Sequence, residues 1–238
     1  MLVKICGITR LDDAEAAVEA GAGALGFVFW PASSRFIDPY RARAIVSRLP
    51  PFVTAVGVFV NQPVEYVAGV ASLVRLGAVQ LHGEETVAYA ARVPAAIIKA
   101  IAVGGEGTDN SVDLWPVQTM LLLDGYDPVK RGGTGRTIDW SVAAQVAARR
   151  RVILAGGLTP ENVGEAIASV RPFGVDVSSG VERAPGLKDR RRMRELFDAI
   201  AAVRCGAESP NPVPDAEATA GTGRATPATR GGMERSSQ

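Results

Sequence analysis

The chain has 238 residues, 47% of them hydrophobic and 21% charged, with a formal net charge of +1. That length leaves one domain or two open, and the apolar content is enough for a sizeable core. Basic residues scattered along a nearly neutral chain give no electrostatic reason to expect nucleic acid or an acidic membrane surface as a partner. The two cysteines, Cys6 and Cys205, stand far apart and imply no disulfide framework. The opening MLVKICGITR holds an apolar patch too short for a signal peptide, interrupted by Lys4. No run approaches the ~20 apolar residues of a membrane span, so a reduced, cytoplasmic location is the default expectation.

In chain order, short apolar runs rich in β-formers recur at Leu2–Ile5, Ala24–Phe29, Phe52–Phe59, Ala78–Leu81, Ala96–Ala102, Met120–Leu123, Val152–Ala155 and Gly174–Val177. Ala-rich stretches with helical spacing lie between them, among them Leu11–Ala20 and Ser141–Ala148. Asp38-Pro39, Thr159-Pro160 and Asp139-Trp140 each set a capping side chain before a helix. Gly21, Gly77 and Gly206 stand where helices should close. Eight such units through residue 206 predict an α/β protein, a (β/α)8 TIM barrel in a single domain, whereas an open doubly wound sheet would more often stop at five or six strands. The fifth unit is the weakest, because Val103–Asn110 is Gly-rich and Trp115-Pro116 leaves room for only a short helix. Residues 207–238 change to Ala, Gly, Pro, Thr and Ser with few large apolar side chains. The expectation there is a disordered C-terminal tail, since so little burial cannot offset the entropy of ordering.

A TIM barrel gathers its site at the C-terminal ends of its strands. The first strand ends in Lys4-Ile5-Cys6-Gly7, where period two puts Lys4 and Cys6 on one face. Cys6 is either a small buried hydrophobe or a thiol whose thiolate the neighbouring cation favours. The sixth ends in Leu123-Asp124-Gly125, and Asp124 is either a turn residue or a site carboxylate. The Gly-rich run Arg131–Arg136, with Gly133 inside it, follows. After strands seven and eight come Gly156-Gly157 and Ser178-Ser179-Gly180, small residues of the kind that bind phosphate through backbone N–H groups. In the second loop Arg35 offers either a surface charge or a bidentate grip on a carboxylate. Gln80 and His82 share a face at the end of the fourth strand. His82 is the only histidine, which excludes a multi-histidine metal cluster. Arg149–Arg151 and Lys188–Arg194 read as solvated helix ends. Strand eight would lie beside strand one in a closed barrel, so inward-facing Lys4 and Asp176 are expected to pair just below Cys6.

With these residues in view, the chain resembles the phosphoribosylanthranilate isomerase family of tryptophan biosynthesis. The matching stretches are VKICGITR (3–10), SSRFI (33–37), VGVFVN (56–61), VQLHG (79–83), LLLDGYDPVKRGGTGRTIDW (121–140), LAGGLTPENV (154–163) and GVDVSSGVE (174–182). Ile138 stands where many relatives carry an aromatic residue. The resemblance implies Cys6 as general base, Asp124 as general acid and Arg35 as the contact for the anthranilate carboxylate. Gln80, His82, Gly133, Gly156, Gly157, Ser178, Ser179 and Gly180 would line the substrate, with Lys4 and Asp176 in support. The implied reaction is an Amadori rearrangement of N-(5-phosphoribosyl)anthranilate to 1-(o-carboxyphenylamino)-1-deoxyribulose 5-phosphate, with no metal and no cofactor. The partner would be this small phosphorylated substrate, and the protein a monomer or homodimer. The alternatives are a histidine-pathway aminoaldose isomerase, which places a carboxylate where this chain has Cys6, and a phosphate-binding barrel without catalysis. A metal-dependent epimerase fails on the histidine count.

Overall fold

The computed structural model describes residues 1–103, 108–125 and 138–207. Eight parallel strands close into a barrel in chain order: β1 (Leu2–Cys6), β2 (Ala24–Val28), β3 (Thr54–Phe59), β4 (Ala78–Leu81), β5 (Ile97–Val103), β6 (Met120–Gly125), β7 (Val152–Leu154) and β8 (Gly174–Val177). The helices between them are α1 (Leu11–Ala20), α2 (Pro39–Val46), α3 (Val64–Val74), α4 (Val87–Ala90), α5 (Thr108–Asp113), α6 (Trp140–Arg149) and α7 (Val163–Val170), and α8 (Arg190–Ala207) follows β8. The expected (β/α)8 barrel is therefore present. Gly133 and its loop lie outside the described residues, as does the expected tail beyond Ala207, the last residue of α8.

Two faces alternate along each strand. One face carries Val3, Ile5, Leu25, Phe27, Phe59, Val79, Leu81, Leu121, Leu123, Val175 and Val177 into the core shared with the helices. The other carries a separate apolar cluster inside the barrel, built from Ala24, Val56, Ala78, Ile98, Leu122, Ile153 and Ala155. Phe27, Phe29 and Phe59 are wholly buried, and truncating any one to alanine would cost about 3–5 kcal/mol. Above the apolar cluster, the inward face of β1, β4 and β8 turns polar: Lys4, Gln80 and Asp176 are all buried. The register that closes the barrel sets Lys4 directly opposite Asp176.

Several ends differ from the sequence expectation. Asp38 and Asp139 cap α2 and α6 as expected, accepting from Tyr40 and Arg41 and from Ser141, each cap being worth about 1 kcal/mol. Thr159 does not start α7. The Asn162 side chain accepts from the Thr159 N–H and donates to the Gly157 carbonyl, so residues 157–162 form a turn and the helix begins at Val163. Gly21 closes α1 in the left-handed region, but α3 closes on Arg75 rather than Gly77, and Gly206 lies within α8. Helix α4 has only four residues, shorter than any unit was expected to be apart from the fifth. After β8 a short 3-10 turn (Ser179–Val181) leads into an unanticipated antiparallel hairpin of β9 (Glu182–Ala184) and β10 (Leu187–Lys188).

Candidate active site

The C-terminal mouth of the barrel holds a pocket lined by Cys6, Arg35, Gln80, His82, Asp124, Gly156, Gly157, Asp176, Ser178 and Ser179, with Val28, Trp30, Val58 and Leu158 among its apolar walls. Ten of the residues singled out from sequence thus converge from six strands and their loops. Strand β1 delivers Cys6 to the rim, where it is 8% exposed and unpaired with any cysteine. The neighbouring position on β2 has to be glycine. A Cβ on Gly26 would stand 2.6 Å from the Cys6 sulfur and 3.1 Å from the Lys4 amine. Those two distances also put the thiol and the ammonium beside the same point.

The Lys4 ammonium donates to Asp176 Oδ2 at 2.8 Å, with side-chain exposures of 1% and 7%. The expected ion pair is there. Burial alone would pull Lys4 down, but the Asp176 and Cys6 charges outweigh it and hold its pKa above the ordinary value. Cys6 itself goes the other way from the sequence expectation. Burial pushes the thiol up, and the opposing pull of Lys4 only partly offsets this, while Asp176 adds to the upward push and Lys188 to the downward one. The cation therefore moderates the upward push that burial exerts on the thiol.

Strand β4 brings Gln80 and His82 in side by side, with Gln80 Nε2 2.9 Å from His82 Nδ1. The other ring nitrogen, Nε2, lies 3.3 Å from Asp124 Oδ2 at the end of β6. Asp124 Oδ1 accepts from the Gly125 N–H at 2.8 Å. Oδ1 is thus held by a hydrogen bond, and Oδ2 lies beside the imidazole. The loop after β7 passes Asp124 through Gly156 and Gly157, whose φ angles of +82° and +63° are left-handed. A side chain on Gly156 would also meet the Gly125 nitrogen at 2.8 Å. Gly180 lies in the adjoining cleft with Thr159, Ser179, Glu182 and Arg192, its backbone pressed against the Leu158 carbonyl. The Ser178 hydroxyl donates to the Cys6 carbonyl at 3.1 Å, tying β8 to β1.

Arg35 does grip a carboxylate bidentately, but that of Glu182: Nε to Oε1 at 2.9 Å and Nη2 to Oε2 at 2.7 Å. Two of its five N–H groups are so engaged, and the side chain also lines the pocket. Glu182 also accepts from Lys188 at 2.8 Å, and Lys188 donates to the Ser178 carbonyl at 3.1 Å. Lys188 is thus a correction, since its side chain is 0% exposed rather than a solvated helix end. Arg150 is another, donating to the carbonyls of Val112, Trp115, Pro116 and Thr119. Burial would raise Glu182, yet the Arg35 hydrogen bonds and the Lys188 charge hold it below the usual carboxylate range. Lys188 is lowered by its burial, which Glu182 does not fully offset. Neither Glu182 nor Lys188 was singled out from the sequence as a site residue. The one signal for them is Pro185-Gly186, a turn dipeptide that reads as a hairpin between them.

Among the described residues, no group of three or more His, Cys, Asp and Glu side chains is placed to hold a metal ion, and no helix is long and apolar enough to cross a membrane. A thiol, a hydrogen-bonded carboxyl group, an arginine and two small-residue loops around one barrel mouth define a (β/α)8-barrel site suited to proton transfer on a small anionic substrate. Residues 3–199 match the family model of N-(5'phosphoribosyl)anthranilate (PRA) isomerase. The N-(5'-phosphoribosyl)anthranilate isomerase of Pelobacter propionicus is 50% identical over 195 residues, covering 82% of this chain and 93% of that protein. A crystal structure of phosphoribosyl anthranilate isomerase in complex with reduced 1-(o-carboxyphenylamino)-1-deoxyribulose 5-phosphate superposes with a TM-score of 0.76 at 44% identity, covering 85% of this chain and all of the other. Monomeric variants of the dimeric enzyme from Thermotoga maritima superpose with a TM-score of 0.76 at 43% identity, with coverage of 85% and 100%. The chain belongs to the N-(5'-phosphoribosyl)anthranilate isomerase family. It is an isomerase.

Proposed function

We propose that this chain converts N-(5'-phosphoribosyl)anthranilate to 1-(o-carboxyphenylamino)-1-deoxyribulose 5-phosphate in tryptophan biosynthesis, with Asp124 as general acid and Cys6 as general base. One observation carries the assignment: a single pocket is lined by both groups, by Arg35 and by the small-residue loops after β7 and β8. Asp124 protonates the furanose ring oxygen as the bond from C1 to that oxygen breaks, leaving a protonated Schiff base between C1 and the anthranilate nitrogen. The Cys6 thiolate then removes the proton from C2. The electron pair of that C–H bond moves into a C1–C2 double bond and neutralises the iminium nitrogen. The resulting enolamine tautomerises to the ketone. Every step is a proton transfer with bond shift, so acid and base each contribute on the order of 10²–10⁴-fold.

The substrate carboxylate is assigned to the end-on edge of Arg35, and the phosphate to backbone N–H groups around Gly156, Gly157, Ser179 and Gly180. The role of Gly133 in that binding rests on the family resemblance. Residues 1–206 are proposed as the catalytic unit in a reduced, cytoplasmic setting, the assembly being a monomer or a homodimer like that of the Thermotoga maritima relative. Loss of phosphoribosylanthranilate fluorescence on adding the purified protein tests the activity. A protein that binds the substrate without consuming it would instead be a phosphate-binding barrel.

A further inference from the structure

We infer that Gln80 and His82 form a relay that positions Asp124: Gln80 holds the imidazole in the tautomer protonated on Nε2, and that N–H braces the Asp124 carboxyl group through Oδ2. The inference rests on the reading of Asp124 as the acid, and goes beyond it by giving the two β4 residues a role that does not involve binding substrate.

The argument starts from the Gln80 amide, whose Nε2 stands 2.9 Å from His82 Nδ1 while its buried Oε1 has no partner. With the amide in this orientation its nitrogen donates, Nδ1 offers a lone pair, and a neutral ring carries its one proton on Nε2. That nitrogen faces Asp124 Oδ2 at 3.3 Å. Gln80 is 1% exposed, so water does not compete for this bond. The second carboxyl oxygen is already held by the Gly125 N–H. Each oxygen of a carboxylate has two lone-pair directions, so the brace on Oδ2 leaves one for the proton to be delivered. When that proton goes to the ring oxygen, the charge left on Asp124 develops beside the Gly125 N–H already in place and an imidazole N–H close enough to turn onto Oδ2.

The backbone around His82 is made stiff enough for the purpose. The His82 N–H donates to the Phe59 carbonyl at 2.8 Å. Directly after it, the Gly83 N–H donates to Glu85 at 2.9 Å and the Gly83 carbonyl accepts from Lys99 at 2.6 Å. Glu85 and Lys99 pair with each other at 2.9 Å and are both buried. An ion pair thus clamps the loop that carries the imidazole, and Gly83, Glu85 and Lys99 are not among the described residues that line the pocket.

The chain has one histidine, so protein labelled with ring ¹⁵N histidine gives the two nitrogens of a single imidazole without mutagenesis. The Nε2–H tautomer is expected at neutral pH. The Nδ1–H tautomer, or a doubly protonated ring, overturns the inference. Two variants separate positioning from binding. His82→Phe keeps a ring without a donor and should lower kcat about tenfold or more while KM changes less than about threefold. His82→Gln restores an N–H near the place of Nε2 and should recover most of the loss. A rise in KM with kcat unchanged in His82→Phe overturns the inference in favour of a substrate contact. Asp124→Asn distinguishes the two levels. If it abolishes turnover while His82→Phe is silent, the relay alone is wrong; if Asp124→Asn turns over normally, the assignment of the acid falls and the relay with it.

Discussion

Lys4 on β1 and Asp176 on β8 stand at paired register positions across the seam that closes the barrel, their charges 2.8 Å apart and both side chains buried. A buried pair of this kind is costly to break from one side, because the remaining charge loses its partner without regaining water. Lys4→Met should therefore destabilise the fold by about 3–5 kcal/mol, read as a shift in the denaturation midpoint. It also removes the cation that pulls the Cys6 thiol down and leaves Asp176, which pushes it up. The alkaline-side rise of the pH–rate profile should move to higher pH. An unmoved profile would show that the pair serves only the barrel.

Cys6→Ser and Asp124→Asn test the acid–base assignment. The hydroxyl of serine ionises far above working pH, and asparagine has no proton to give. Each should lower kcat by at least ~10²-fold with substrate binding retained, measured by fluorescence turnover and by calorimetric titration. Near-normal turnover in either variant removes that residue from the chemistry.

Arg35 is held by Glu182, which is itself shared with Lys188. Arg35→Lys cannot reproduce either bidentate edge, and KM should rise roughly tenfold with little change in kcat, a loss equal to one charge-assisted hydrogen bond. Glu182→Gln should move KM the same way, because the guanidinium loses the carboxylate that aims it. A fall in kcat with KM unchanged would place Arg35 in the bond-making steps instead.

Acid stability follows from Glu85 and Glu182. Burial would raise both, but Lys99 and backbone donors lower Glu85, and Arg35 and Lys188 lower Glu182. A carboxyl group held below its unfolded value stabilises the fold fully above that value and less as pH falls through the folded one. The contribution of these two glutamates is thus complete at neutral pH, starts to fall as pH drops past the unfolded carboxyl value of about 4.3, and is lost as pH passes through their lower folded values. Glu85→Gln should lower the thermal midpoint at pH 7 and flatten its dependence below about pH 5. An equal loss at every pH in that range would contradict the ion-pair account.

Gly26→Ala places a methyl group 2.6 Å from the Cys6 sulfur and 3.0 Å from the Cys6 Cα. The strand backbone cannot yield easily, so the thiol must turn away from its present position. The expected stability loss is about 1–3 kcal/mol, with a kcat loss much larger than that shift explains. Unchanged kcat would mean that Cys6 tolerates displacement, which a base within reach of one C–H bond should not.

Much of the barrel was legible because strands and helices announce themselves within about ten residues of chain. Period two separated Val3 and Ile5 from Lys4 and Cys6, and Val175 and Val177 from Asp176, and both faces are where that alternation placed them. Once β8 is known to neighbour β1, the Lys4–Asp176 pair follows from the same period, since parallel strands in register bring like faces together. Cys6, Asp124 and the Gly156-Gly157 loop were legible for a related reason: a barrel puts every strand end at one mouth. The polar bonds made by loop and mouth side chains were not legible. Arg35 meets Glu182 across 147 positions of sequence, and their partner Lys188 lay hidden in a run of basic residues. Likewise β4 and β6 are not neighbours in the sheet, so no pairing rule joins His82 to Asp124. Periodicity reports which way a side chain faces, and that is a local property of the backbone. Which partner it meets depends on the lengths of two side chains and the path of a loop, and these are settled only when the whole barrel has closed.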